Sequence, residues 1–413
     1  MSLDAALDRT RAFTEELYRD LHAHPELSHR EHRTAARMAE LLREAGVEEV
    51  HEKVGTSTGV VGIIRNGAGP TVLLRADMDG LPVTEDDLVP YRSTQTDEWE
   101  GQPVGVMHAC GHDTHMASLQ AAVKILLAQR DTWSGTIVAV FQPAEETVDG
   151  AAGMTDALRE LVPSIDVALG QHVIDEAAGR VLVSPGPIMA TSNLLKITVH
   201  GRGGHGSQPQ KTVDPIVLAS SIVLKLQTIV AREVAPAEPA VVTVGTFHAG
   251  TKGNIIPATA TFEVNIRAFD EELAQRIIAA IERIVAGECQ AAGSPQPATI
   301  ERDTPAPLTS NDPEATARVS AAFAAEFGDE LREFPPEMGS EDFSDLPNAY
   351  GAPYVFWMYG GFDADAYRAA EEAGTIDEVV PGNHSPAFVP VIQPTLDVAT
   401  RAMVVAALAY VGR

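Results

Sequence analysis

Apolar residues recur at helical spacing near the start of the chain, at Leu7, Phe13, Leu17 and Leu21 and again at Ala36, Met38, Leu41 and Leu42. The intervening segment 22–32 contains Pro25 and breaks the pattern, so two helices are expected around a loop. Short β-branched runs at 60–64 and 71–74 read as strands. Residues 116–129 are strongly helical, and the nearly continuous apolar run 135–141 suits a strand buried on both faces. A further short strand falls at 167–170. Strands alternating with helices predict an α/β layer architecture with a mostly parallel sheet.

The pattern changes near Pro185. Strands are expected at 194–200, 240–248, 259–269 and 298–303, with helices at 214–232 and 271–292. The order β-α-β-β-α-β is that of a ferredoxin-like α+β sandwich. After Pro305 the first pattern resumes, with a helix at 312–327, a strand at 354–359 and a final helix at 394–411. The expected organisation is a main α/β domain made of 1–189 and 306–413, interrupted by an inserted domain at 190–305. A length of 413 residues likewise favours two cores over one.

Composition narrows the function. The 30 Lys and Arg against 58 Asp and Glu leave a formal charge of -28, which repels phosphate backbones and argues against nucleic-acid binding. Two cysteines, Cys110 and Cys289, make a disulfide framework improbable. The polar first 20 residues do not read as a secretory signal. No continuous apolar run reaches the roughly 18 residues of a membrane helix. A cytoplasmic location is the expectation.

Histidine placement carries the chemistry. The segment 106–115 brings His108, Cys110, His112 and His115 together ahead of the long helix. A Cys-x-His pair can offer a thiolate and an imidazole to one divalent ion, although a helix start can be His-rich by chance. Strand 135–141 runs into Glu145 and Glu146. Adjacent carboxylates at a strand's carboxyl end can divide metal binding from proton transfer, or they can simply be solvated. His172 follows strand 167–170, and His384 lies in a Pro/Gly/Asn loop. Either alone reads as structural. Jointly, Cys110, His112, Glu146, His172 and His384 give more donors than one closed zinc site takes, and they suit two metals. Zinc, manganese, cobalt and nickel all accept such a mixture.

Asp77 and Asp79 end strand 71–74 and read as carboxylates that orient a ligand imidazole, or as a polar turn. In the inserted domain, glycines on both sides of His205 allow its close approach to another group. Asn254 and Arg267 are candidates for gripping a substrate carboxylate.

These segments together resemble one metallopeptidase family. It is that of the aminoacylases, hippurate hydrolases and indole-acetyl-amino-acid hydrolases, related to the glutamate carboxypeptidases. The motifs are HAHPELS from His22, RADMDGLPVTE from Arg75, MHACGHDTHMA from Met107, FQPAEE from Phe141 and GQHV from Gly170. They continue with GRGGHGSQP from Gly201, GNIIPATATFEVNIRAFD from Gly253, MGSEDFS from Met338 and NHSPAF from Asn383. The resemblance implies two divalent metals and an inserted lid domain that pairs subunits as a homodimer or tetramer. It implies Cys110, His112, Glu146, His172 and His384 as ligands and Glu145 as general base and acid. His205 would help stabilise an oxyanion, in its own or a partner subunit's site. The implied substrate is a small N-acylated amino acid. The rivals are a dipeptidase or carboxypeptidase and a catalytically silent metal-binding relative. One departure stands out: where a run of the type G-x-G-G-A is expected after the Glu pair, the chain has Thr147-Val148-Asp149-Gly150-Ala151.

Overall fold

A computed structural model describes residues 2–413. In chain order its principal elements are α1 Leu3–Ala23, α2 His32–Glu44, β1 Glu49–Glu52, β2 Val60–Asn66, β3 Thr71–Asp77, α3 His112–Ala128, β4 Gly135–Gln142, α4 Gly150–Leu161 and β5 Val167–Ala177. Then come β6 Thr191–His200, α5 Pro215–Arg232, β7 Ala240–Ala249, β8 Thr259–Ala268, α6 Glu271–Ala292 and β9 Thr299–Arg302. The chain closes with α7 Pro313–Phe327, β10 Tyr354–Phe362 and α8 Thr395–Val411. The chain divides into two compact units. The first runs to Gly186 and resumes at Ser310–Pro335 and Asp342–Arg413; the second is Pro187–Thr309 with Pro336–Glu341.

The first unit is built on an eight-stranded sheet in the order β1-β2-β4-β3-β5-β10, completed by the short pieces Val181–Leu182 and Leu331–Arg332. The strands β4, β3, β5 and β10 run parallel, while β1 and β2 are antiparallel additions at one edge. The central strands are buried along nearly their whole length, as the apolar run in β4 requires. Register aligns their carboxyl ends: Asp77 faces Gln142, Arg75 faces Gly170, and His172 faces Met358. Ligands collect at that edge of open α/β sheets. Helix α3 packs against α1 and α8, and its apolar side chains are buried on nearly all sides.

Local chemistry fixes the helix starts. Ser2, Asp214, Asp270 and Asp312 each accept a hydrogen bond from a first-turn N–H of α1, α5, α6 and α7. Glu26 does the same for α2, accepting from the N–H of Arg33 and Thr34. The start of α3 depends on Gly111 at φ +82°, where a Cβ would lie 2.3 Å from Val173 Cγ1. Only glycine fits that left-handed position against β5.

The loop expected at 22–32 is shorter, because His22 belongs to the last turn of α1 and is buried. Its Nδ1 lies 2.6 Å from Asp113 Oδ2 and its Nε2 2.9 Å from Glu85 Oε1. Period alone does not reveal this, since the histidine is held by two distant carboxylates.

The second unit has a four-stranded antiparallel sheet in the order β7-β8-β6-β9, with α5 and α6 packed on it. This is the order of a ferredoxin-like sandwich. The insertion is expected at 190–305; this unit begins at Pro187 and also takes in Pro336–Glu341. The added segment is tied by backbone bonds from Ala190 N–H to Gly339 O and from Glu337 N–H to Ile188 O. A pattern of apolar periods cannot register such an isolated pairing. Helix α5 is long and apolar enough to cross a membrane by length and composition, although Ser220, Ser221, Lys225 and Gln227 interrupt its apolar run. It buries Leu218, Ala219, Ile222, Leu226 and Ile229 in the unit's own core, as a core helix does.

Burial works against a charged His22, but Asp113 and then Glu85 push its pKa up to about 9. The stabilisation from this raised pKa is fully present below the imidazole's unfolded value near 6.5 and is lost as pH rises through about 9. Chemical denaturation between pH 6 and 10 should show the wild type losing stability over that window, while His22→Ala, weakened by about 3–5 kcal/mol at pH 6, loses less. Parallel pH profiles for the two proteins would refute the assignment.

Candidate metal centre

Four chain segments converge at the carboxyl edge of the large sheet. The turn before α3 supplies Cys110 and His112, the turn after β4 supplies Glu145 and Glu146, β5 supplies His172, and the loop before α8 supplies His384. Cys110 Sγ lies 3.5 Å from His172 Nε2 and 3.2 Å from His384 Nε2. His384 Nε2 is 3.4 Å from Glu146 Oε1. His112 Nε2 is 3.8 Å from Glu145 Oε2 and 3.9 Å from Glu146 Oε1. Cys110, Glu146 and His384 form one group of closely spaced donors, and His112, Glu145 and Glu146 another, with Glu146 shared.

The tautomers make this a site for cations. His172 Nδ1 lies 2.7 Å from Val173 O, and His112 Nδ1 lies 2.9 Å from Asp79 O. A ring nitrogen facing a carbonyl must carry the proton, so in the neutral form of each ring Nε2 presents the lone pair to the centre. His112 Nε2 and Glu146 Oε1 are buried and make no hydrogen bond. Such atoms are costly unless a further group satisfies them. His384 stands at φ +70°, with its N–H bonded to Ala109 O at 2.8 Å. Asn383 beside it donates to Val173 O at 3.1 Å and to Cys110 O at 3.3 Å. These bonds hold the distant loop in place.

Electrostatics point the same way. Burial, then Glu146, Glu145 and Asp77, push the Cys110 thiol well up. Burial, then His115, hold His172 well below its ordinary value, so it is neutral. Burial opposes charge on His112, but Asp77, then Asp79 and Glu146, push it up to about 10. The cluster thus draws protons in to offset its own negative charge, and divalent cations suit it better than protons do.

Asp77 lies beside His112, its Oδ2 3.7 Å from Nε2, but its hydrogen bonds go elsewhere. Its Oδ1 is 2.5 Å from His115 Nδ1 and its Oδ2 is 2.6 Å from Arg75 Nη1, so both oxygens are engaged. Asp79 meets His112 Nδ1 through its backbone carbonyl, with its own Oδ1 3.3 Å from the same nitrogen. No specific role is expected of His115 from the sequence. Its Nε2 accepts from Val173 N–H at 2.9 Å, so with both nitrogens bonded it braces β5 close to His112 and His172. The i,i+3 spacing of His112 and His115 on one helix face was the available signal.

In the turn after β4, Ala144 and Val148 take positive φ, +54° and +61°. Where glycines were expected, Thr147 Oγ1 bonds Asp149 Oδ1 at 2.7 Å, and Asp149 pairs with His29 at 3.0 Å.

In the second unit, His205 is exposed and its Nδ1 accepts from Ser207 N–H at 3.1 Å and lies 2.8 Å from Ser207 Oγ. That leaves Nε2 with the proton, as a donor. Arg267 donates to Met338 O at 2.6 Å and Asn265 Oδ1 at 3.0 Å, and burial lowers its pKa. Asn254 is exposed, and its carbonyl accepts from Gly206 N–H at 3.0 Å. No hydrogen bond joins Asn254 to Arg267 among the described residues.

The model of the peptidase family M20/M25/M40 matches residues 73–384. The chain belongs to that family. Similar relatives include thermostable carboxypeptidase 2 of Saccharolobus solfataricus, 40% identical over 345 residues, covering 83% of this chain and 84% of the relative. Hippurate hydrolase of Campylobacter jejuni is 39% identical over 347 residues, covering 83% and 87%. A dinuclear metal binding peptidase of the M20 family from Bacillus subtilis superposes with a TM-score of 0.77 at 28% identity, covering 97% of this chain and 99% of that one. Membership in M20/M25/M40 makes the chain a metal-dependent hydrolase with a centre for two metals, and the donors at this sheet edge fit that requirement.

Metal uptake must displace the proton on His112 and that of the Cys110 thiol. Affinity for divalent ions should therefore rise with pH between 6 and 9, with proton release on binding. Competition against a chelator across that range, and calorimetry in two buffers of different ionisation enthalpy, would read both. Affinity independent of pH would contradict this electrostatic account.

Proposed function

We propose that this chain hydrolyses the amide bond of small N-acylated amino acids, releasing a carboxylic acid and a free amino acid. The observation that carries the reading is the placement of Glu145 Oε2 beside His112 Nε2, next to the donor set of Cys110, Glu146, His172 and His384. We assign those four and His112 as the holders of two divalent ions, with zinc, manganese, cobalt and nickel all suited to the mixture. When bound, the ions polarise the acyl carbonyl and acidify a water near neutral pH.

The remaining work falls to the chain's own groups. Glu145 takes the proton of the attacking water and returns it to the leaving amine. His205, whose Nδ1 faces Ser207, offers its Nε2–H to the developing oxyanion. Arg267 and Asn254 are assigned to the substrate carboxylate. The similarity to hippurate hydrolase supports an N-acyl substrate, and the similarity to the carboxypeptidase supports peptide cleavage as the second reading. Both cysteines are free thiols, consistent with a cytoplasmic enzyme.

Pairing of subunits is assigned to the second unit. Val217 and Leu224, seven residues apart on α5, are 66% and 73% exposed. Strand β7 pairs only with β8, so one of its edges is open, and Val241 and Phe247 on it are also exposed. An open edge beside an apolar helix face favours a symmetric partner. Leu224→Glu should convert a dimer or tetramer to smaller species in sedimentation. An unchanged sedimentation coefficient would move the interface elsewhere.

The function is tested on metal-stripped protein reloaded with zinc, manganese or cobalt. The substrates are hippurate, N-acetyl amino acids and unacylated dipeptides. Release of free amino acid from the acylated substrates is expected, and Glu145→Gln should bind its metals yet lose at least about 100-fold in kcat. Turnover of the dipeptides alone would replace this reading with that of a dipeptidase. Undiminished activity in Glu145→Gln would remove Glu145 from its role.

A further inference from the structure

Two carboxylates outside the donor set grip the turn that carries Glu145. Glu31, the residue before α2, is buried. Its Oε1 accepts from the N–H of His29 and of Ala144, both at 2.9 Å, and its Oε2 accepts from Thr58 Oγ1 at 2.8 Å. Asp79 Oδ2 accepts from Glu146 N–H at 3.0 Å and from Ser28 Oγ at 2.7 Å. The N–H before Glu145 and the N–H after it are therefore each anchored on a carboxylate, and residues of the short loop ahead of α2 take part in both anchors.

The Glu31 anchor falls at the strained point. Ala144 stands at φ +54°, a conformation that an L side chain disfavours and that persists only where the surroundings impose it. The turn closes on itself behind this residue: Gly150 N–H bonds Ala144 O at 3.2 Å, and a Cβ on Gly150 would lie 1.7 Å from Pro143 O. With the far side of the turn packed this tightly, the bond from Ala144 N–H to Glu31 orients the peptide from which the Glu145 side chain departs.

We infer that Glu31 is a positioning residue for Glu145, holding Ala144 in its left-handed conformation so that the Glu145 carboxylate faces the donor cluster. This rests on the assignment of Glu145 as the proton-transfer group. The role requires an oxygen at the right reach and does not require charge. Burial, then Asp79, push the Glu31 carboxyl up to about 7, so a neutral side chain is tolerated in that pocket.

Reach and charge are separable by two conservative variants. Glu31→Gln keeps an oxygen where Ala144 N–H and His29 N–H need it, and its amide can donate to Thr58 once that hydroxyl turns. Glu31→Asp keeps the charge and withdraws the oxygens by one methylene. The expectation is kcat near the wild-type value for Glu31→Gln. For Glu31→Asp it is a fall of about 10- to 100-fold in kcat, with KM and the content of two metals unchanged. Hydrogen exchange across 143–150 should quicken in Glu31→Asp alone. The inference is overturned if Glu31→Asp keeps full kcat, if Glu31→Gln loses as much as Glu31→Asp, or if metal is lost in step with activity. Glu145→Gln is measured beside them. Turnover by that variant would sink the role of Glu145, whereas the exchange pattern reports on the anchor regardless of activity.

Discussion

Acidic groups are packed into one small volume at the end of the large sheet, and the rest of the centre follows from that. Cys110, Asp77, Asp79, Glu145 and Glu146 lie within or beside a region from which water is largely excluded. Charges of one sign in low dielectric repel strongly and must be compensated from within the protein. Arg75 and the imidazoles offset part of this, with Arg75 and then His112 and His115 holding the Asp77 carboxyl well below its usual range against burial. The remainder is an appetite for cations that the fold sustains because every participating group is tied down.

The tying is hierarchical. Arg75 bonds Asp77 and Gln142, and Gln142 bonds Asp342, whose other oxygen accepts from Ala151 N–H at the start of α4. Asp77 then aligns His115, which takes the N–H of Val173 and so sets the end of β5 that bears His172. Asp79 sets His112 and the turn of the Glu pair. Groups that never face the centre thus fix those that do. This is how outlying partners orient ligands and tune their basicity.

Much of this was legible in the sequence, and the parts that were not share a physical reason. The apolar run of β4 and the alternation in β6 announced their strands, because burial pattern is a local property. The donors could be named because thiol, imidazole and carboxylate are rare in such concentration and each followed a strand or preceded a helix. The misses were partnerships across the chain. That Asp77 bonds Arg75 and His115, the latter 38 residues away, carries no signal in the spacing. His22 read as loop and became a buried bridge to Asp113, 91 residues away. Glu31 and the segment Pro336–Glu341 carried no periodic signal, since backbone bonds to distant residues define their roles. Sequence spacing reports which face a residue occupies, and only the fold reports which atom it meets.

The order of these ties bears on how the centre responds to its metals. The candidate donors come from segments as far apart in sequence as Cys110 and His384, so ions bound among them would cross-link the first unit and stabilise it by mass action. A centre built by ligands alone would collapse when stripped. Here the Arg75–Asp77–Asp342 network, the His22 bridge and the backbone bond from His384 to Ala109 brace the centre through contacts within the protein itself. The carbonyls of Asp79 and Val173 fix the Nδ1–H of His112 and His172 in the same way, before any ion arrives. The cost of ordering the ligands is met during folding, and the free energy of metal binding is left to offset the repulsion among the carboxylates, the one unfavourable term the protein cannot relieve alone.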